Sequence, residues 1–224
     1  LLISGGSFSI PTNWTNYNGT MTLSGGSLIN NNNLNYAGIL NMSGGSLNGN
    51  GFFTLTGTLN QLSGTSTINQ VFVDNGTMTI NGGSLTLTEA NTINNDVSFN
   101  SAGLLALQNS TVVADGINFT GSGATEISGG LNLLGNTVVG TGVSLTLPSS
   151  TSVTGTGELT NQGILNATNT TLLGSLNNQG IVHFDSGSIA RNLSNSGNIN
   201  ISHNLTVGGA SAQLLSGTVN LISG

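Results

Sequence analysis

Gly19-Thr20-Met21-Thr22-Leu23-Ser24-Gly25-Gly26-Ser27-Leu28 lies over Gly38-Ile39-Leu40-Asn41-Met42-Ser43-Gly44-Gly45-Ser46-Leu47 at a step of 38 − 19 = 19 residues. Gly57-Thr58-Leu59-Asn60-Gln61-Leu62-Ser63-Gly64 and Gly76-Thr77-Met78-Thr79-Ile80-Asn81-Gly82-Gly83-Ser84-Leu85 follow at the same step. A repeat this short cannot bury a face alone and must stack on its neighbours, which predicts a solenoid. Within each copy, Gly-x-Φ-x-Φ (Φ apolar) alternates with period two. Met21 and Leu23, Leu40 and Met42, Met78 and Ile80 therefore share one face of a short strand.

The Ser-Gly-Gly that follows supplies the positive φ of a sharp turn. A second strand begins at Ser27-Leu28-Ile29, Ser46-Leu47 and Ser84-Leu85-Thr86-Leu87. A third is read at Phe53-Thr54-Leu55, Val71-Phe72-Val73, Val112-Val113 and Leu159-Thr160-Asn161. Parallel pairing places equivalent residues about 4.8 Å apart, so like must sit on like. The inward column then reads Met21, Leu40, Leu59, Met78, Val97, Ile117, and the column before the first strand reads Asn18, Ala37, Thr56, Asn75, Asn94, Asp115. Asparagines stacked in this way pass amide hydrogen bonds from coil to coil.

The register is expected to loosen after Gly116, with a bulge near Pro148-Ser149-Ser150. It then resumes with Gly163-Ile164-Leu165-Asn166-Ala167, Gly180-Ile181-Val182-His183-Phe184, Gly197-Asn198-Ile199-Asn200-Ile201 and Gly217-Thr218-Val219-Asn220-Leu221. The fold expected is all-β: a right-handed parallel β-helix (β-solenoid) of about 11 coils, roughly 17–23 residues each, with three short strands per coil. Residues 1–224 read as a single β-solenoid. Leu2-Ile3-Ser4-Gly5-Gly6-Ser7-Phe8 and Asn220-Leu221-Ile222-Ser223-Gly224 look alike in phase and neither carries a polar cap. That suggests a segment of a longer chain or a subunit that stacks end to end.

Composition narrows the function. Only 4% of residues are charged, Arg191 is the sole basic residue, and the formal net charge is −6. Neutralising nucleic-acid phosphates or anionic lipid needs several Lys or Arg, so neither partner is expected. With 36% hydrophobic residues the chain has apolar material to bury, which argues against disorder. Cys is absent, so no disulfide framework or thiolate metal site is expected. Polar residues interrupt every apolar run before the length of a transmembrane helix, and the alternating runs are too short for a membrane barrel. No membrane insertion is expected. Leu1 is not an initiator and no signal peptide is visible, so the true start is expected to have been removed.

The Gly-x-Φ-x-Φ-x-Gly-Gly-Ser-Φ repeats, the Asn-Gln-Gly and Asn-Ser-Gly turns and the scarcity of charge resemble the parallel β-helices of large bacterial surface and secreted proteins. Filamentous-haemagglutinin-type two-partner secretion adhesins and autotransporter passengers are the closest images. The resemblance implies an extracellular, cell-surface location and attachment to glycans, hosts or other cells. The expected function is a structural and adhesive module of a surface protein or filament, without enzymatic activity or cofactor, associating end to end or continuing into further repeats. Two alternatives stand beside it: a β-helix carbohydrate-active enzyme (polysaccharide lyase or hydrolase), and an ice-binding solenoid.

The enzyme alternative needs clustered carboxylates. Asp74, Asp96 and Asp115 fall near one turn of three consecutive coils and form the one candidate Ca²⁺ or acid–base site, although exposed turns select Asp in any case. Glu89, Glu126, Glu158 and Asp185 are scattered. His183 and His203 lie in adjacent coils at different phases, and Arg191 reads as solvated or paired with Asp185. Thr20, Thr22, Thr58, Thr77 and Thr79 suggest an outward hydroxyl array, broken by Ile39, Asn41 and Asn60. Trp14, Tyr17 and Tyr36 could stack on a sugar or pack over the end of the stack. The many Asn-x-Ser/Thr triplets are permissive of glycosylation.

Overall fold

The alternation that puts Met21, Leu23 and Leu28 inside and Thr20 outside strand Thr20–Ile29 recurs coil after coil. In the computed structural model, residues 1–89, 91–108, 111–114, 116–149, 151–209 and 214–222 are described. They form a parallel β-solenoid of about 11 turns, with no helix among the described residues. Its 29 strands belong to one continuous sheet that coils into three faces. The first face runs from Leu2–Ile3 through Thr58–Gln61 and Glu158–Asn161 to Leu214–Leu215. The second runs from Ser7–Ser9 through Ser84–Leu87 and Ile164–Ala167 to Thr218–Leu221. The third runs from Asn16–Tyr17 through Leu34–Tyr36 and Gly130–Leu133 to residues 204–207.

The pairing corrects the sequence reading at several points. Gly19, Gly38, Gly57 and Gly76 lead the first face, and each of the first three carbonyls accepts a bond from the strand below it. Gly163, Gly180, Gly197 and Gly217 lead the second face. They continue the column Gly64, Gly83, Gly103, Gly123 and Val143, in which every carbonyl accepts the N–H that opens the next strand. The two glycine series are therefore different columns. Because both corners need close backbone approach, both carry glycine, and text alone could not tell them apart. Along the second face the step is 103 − 83 = 20 residues, the same from Gly83 to Gly163, then 17 from Gly163 to Gly197. On the other two faces the middle coils do lengthen: the step is 22 residues from Val97 to Phe119, from Val139 to Asn161 and from Leu133 to Gly155, and near Pro148 the chain makes a turn in which Thr151 N–H donates to Pro148 O at 3.1 Å.

Three smaller corrections follow from the same ladders. The inward column passes from Val97 to Phe119, not Ile117, and then through Val139 to Asn161, Asn178 and Asn195. Leu159-Thr160-Asn161 belongs to the first face rather than the third. Leu2 and Ile3 lie on the first face whereas Asn220 and Leu221 lie on the second, so these segments do not share a phase. Ser150, Ser223 and Gly224 lie outside the described residues.

The core is a continuous cylinder of Leu, Ile, Val, Met and Phe, each such buried side chain contributing about 1.5–3 kcal/mol. At the upper end an aromatic stack runs along the third face: Trp14 on Tyr17 at 4.9 Å, Tyr17 on Tyr36 at 5.7 Å, and Phe53 on Phe72 at 6.0 Å between ring centroids. Tyr36 is fully buried. Its hydroxyl accepts from Met21 N–H and lies 2.7 Å from both Gly19 O and Ile39 O, while burial pushes the phenol up to about 12. Tyr36, Phe53 and Phe72 are thus core, while Trp14 and Tyr17 are partly buried and pack against it at the end of the stack.

Candidate functional site

Buried polar residues gather where the strand turns from one face to the next. In the coil beginning at Thr58, inward positions hold Gln61, Ser66, Gln70 and Asp74 among Leu59, Ile68 and Phe72, and all seven are buried. Gln61 ends the first face and donates to Ser63 O at 2.7 Å. Asp74 ends the third face, between Leu55 above and Ile93 below, and its Oδ1 accepts Gly76 N–H at 3.0 Å. Burial pushes the Asp74 carboxyl up to about 6, against the smaller opposing pull of the Gly76 N–H. Its Oδ2 and both polar atoms of Gln70 have no hydrogen-bond partner. Asp74 is thus not in the exposed turn column in which the sequence reading placed it. The strand Thr65–Asp74 carries the signal: Ile68 and Phe72 are in phase with Gln70 and Asp74, and period two sends all four inward.

Beside this corner, between the third and first faces, a cleft of about 550 Å³ is lined by Thr56, Asn75, Gly76, Thr77, Asn94 and Asp96, among others. Asn94 Nδ2 donates to Asn75 Oδ1 at 2.6 Å, so the expected amide ladder forms here. Asp96 is exposed and engaged by the next coil: its Oδ1 accepts Asn118 N–H at 2.7 Å and both its oxygens lie near Asn118 Nδ2. Of the proposed Ca²⁺ set, Asp74 is buried, Asp96 caps a strand, and Asp115 lies outside the described residues. Among the described residues no group of three acidic or histidine side chains is placed to hold a metal.

The remaining charged residues are dispersed. His203 Nδ1 lies 2.7 Å from Asp185 Oδ1, so Asp185 pairs with His203 rather than Arg191. His183 Nδ1 faces Asn200 Nδ2 on the second face, apart from that pair. Glu158 accepts from Thr160 and Asn177.

The lateral faces are built from repeated uncharged polar columns. Thr20, Ile39, Thr58 and Thr77 stand in one outward column of the first face, and Thr22, Asn41, Asn60 and Thr79 in the next. Amide ladders join Asn41 to Asn60 at 2.9 Å, Asn48 to Asn69 at 2.7 Å, Asn81 to Asn100 at 2.7 Å and Asn200 to Asn220 at 3.0 Å. A further ladder is internal, formed by asparagines that the sequence suggests for polar turns or a strand end: Asn161 to Asn178 at 2.8 Å and Asn178 to Asn195 at 2.7 Å, all three fully or almost fully buried. No family model matches the chain, and neither a curated protein nor a solved structure matches it.

Proposed function

We propose that the chain is a structural and adhesive rod of an extracellular bacterial surface protein or filament. The observation that carries this reading is the continuity of the uncharged Thr, Asn and Ser columns from coil to coil on the first face. Asn60 Nδ2 donates to Asn41 Oδ1 at 2.9 Å within that face, and the strand backbone fixes the spacing of the hydroxyls beside them, so the groups are presented in register with part of the ordering cost of binding already met. Glycans and cell surfaces rich in hydroxyls are the partners such a face fits along its side. At its ends the rod would pair with further β-coils, since unpaired strand edges template the same pairing.

Beads coated with the protein and passed over a panel of glycans and cells test the proposal. Retention is expected, and is expected to fall at least tenfold when Thr22, Asn41, Asn60 and Thr79 are all replaced by Lys. Absence of retention, or retention indifferent to those changes, overturns the adhesive reading. Incubation with acidic and neutral polysaccharides supplies the opposite outcome: turnover abolished by Asp96→Asn would replace the rod with an enzyme.

A further inference from the structure

We propose that Asn75 is a self-modifying residue, in which the Gly76 backbone nitrogen closes on the Asn75 side-chain carbonyl with Asp74 as base and Asn94 as donor to the carbonyl oxygen. The parts of that reaction are already in place. Gly76 N–H points at Asp74 Oδ1 at 3.0 Å, so the nucleophile's proton has an acceptor in contact. Asn94 Nδ2 donates to Asn75 Oδ1 at 2.6 Å, where negative charge develops during attack. Glycine at the following position leaves no side chain to crowd the five-membered ring. Asn75, Gly76 and Asn94 all line the open cleft, so water can enter and ammonia can leave.

The step balances. The Gly76 N to Asn75 Cγ bond forms as the N–H proton passes to Asp74 Oδ1. The Cγ–Nδ2 bond then breaks, the departing amide nitrogen takes that proton and leaves as ammonia, and a succinimide remains. The carboxylate of Asp74 is restored as the ammonia leaves, and solvent water then opens the ring at either carbonyl, giving aspartate or isoaspartate. Burial keeps Asp74 a stronger base than an ordinary carboxylate while leaving it mostly ionised at neutral pH. Asp96, the other carboxylate of the cleft, is occupied by Asn118.

The chain supplies its own controls. Asn81-Gly82 has the ladder, Asn100 Nδ2 to Asn81 Oδ1 at 2.7 Å, but among the described residues no carboxylate is bonded to Gly82 N–H. In Asn50-Gly51 the glycine N–H is taken by the Asn30 carbonyl. Conversion at Asn75 replaces a ladder amide with a carboxylate beside buried Asp74, and isoaspartate also lengthens the backbone at a corner where coils must stay in register. The residue would act as a slow, irreversible timer on one coil of the rod.

Peptide mapping by mass spectrometry after prolonged incubation of the purified chain at neutral pH reads the reaction directly. Asn75 is expected to convert at least tenfold faster than Asn81, and Asp74→Asn to slow it about 100-fold, the size of a positioned base, while leaving Asn81 unchanged. The Asn75 rate should rise with pH and level off above the Asp74 transition. Equal rates at Asn75 and Asn81, or an Asn75 rate unchanged by Asp74→Asn, overturn the proposal. Should Asp74→Asn fail to fold, Asn94→Ala at the exposed corner gives the second reading: a several-fold slower Asn75 supports the assignment, and an unchanged rate overturns it.

Discussion

At the corner between the first and second faces, the upper coil uses Gln61-Leu62-Ser63-Gly64 and the lower coils use Asn161-Gln162-Gly163 and Asn178-Gln179-Gly180. The longer amide of Gln61 turns back on its own corner, donating to Ser63 O and Gly64 O, and its Oε1 stays unpaired. The shorter Asn side chains also reach down the stack, from Asn161 to Asn178 and Ile181 O, and from Asn178 to Asn195 and Asn198 O, although Asn178 keeps a longer local bond to Gly180 O and Asn161 Oδ1, at the head of the ladder, is unpaired like Gln61 Oε1. One residue fewer at the corner accompanies the shorter 17-residue coil, and the amide that once served one turn now ties each coil to the next. A buried polar column is therefore costly or stabilising according to whether its members meet one another.

The glycine that follows each of these corners sets the largest expected effect. A Cβ at Gly180 would overlap the Gly163 carbonyl, which is backbone and cannot rotate away. Gly180→Val is expected to cost about 4 kcal/mol, near the upper end for single changes, read as a lowered thermal midpoint. Gly5→Ala, with open space around it, should stay within about 0.5 kcal/mol. Equal effects at the two sites would break the account of the corner column.

Asp74 comes next. Its folded value of about 6 stands above the ordinary 3.8, so the folded state holds the proton more tightly than the unfolded chain. The stability this gives is present below pH 4, is lost as pH rises to about 6, and amounts to at most about 3 kcal/mol. Asp74→Asn should remove that slope and raise stability at neutral pH by a comparable amount, measured by denaturant unfolding across pH 3–8. A variant that tracks the parent at every pH would place the carboxylate outside the core.

How much of this was legible follows from where the constraint lies. Period-two alternation and the 19-residue step gave the strands, the parallel stacking and the apolar core, because those depend on spacing along the chain. The phase of the lower glycines was hidden, because both corners demand the same residue for the same steric reason. Asp74 was placed outside because Asp suits turns, although Phe72 two residues earlier fixed its direction inward. The internal ladder was hidden for the same reason, because Asn161, Asn178 and Asn195 suit turns, although Leu159, Leu176 and Leu193 two residues earlier fix their direction inward.

The two versions of the corner are separated most directly by deletion. Asn178→Ala removes the middle of the ladder, leaving Asn195 Oδ1 without its Asn178 donor and Asn161 Nδ2 without its Asn178 acceptor, at an expected cost of about 2 kcal/mol. Gln61→Leu gives up two local bonds but also removes an unpaired buried oxygen, and should cost less than about 1 kcal/mol. If Gln61→Leu proved the more damaging of the two, the contrast between self-directed and coil-to-coil amides would fail.

The smallest effect is expected from the carboxylate that looks strongest on distance alone. Asp185 lies 2.7 Å from His203, but the two side chains are 45% and 65% exposed. Water screens the pair and each side chain gives up rotamer freedom to hold it, so an exposed pair of this kind contributes about 0.2–1 kcal/mol or less. Asp185→Asn should therefore shift stability by under about 0.5 kcal/mol, and added salt should erase even that. Set beside Asp74→Asn, the experiment compares one residue type in two places on one rod. A large effect at Asp185, with none at Asp74, would mean that ion pairing on the surface rather than burial at the corner governs the chain's response to pH.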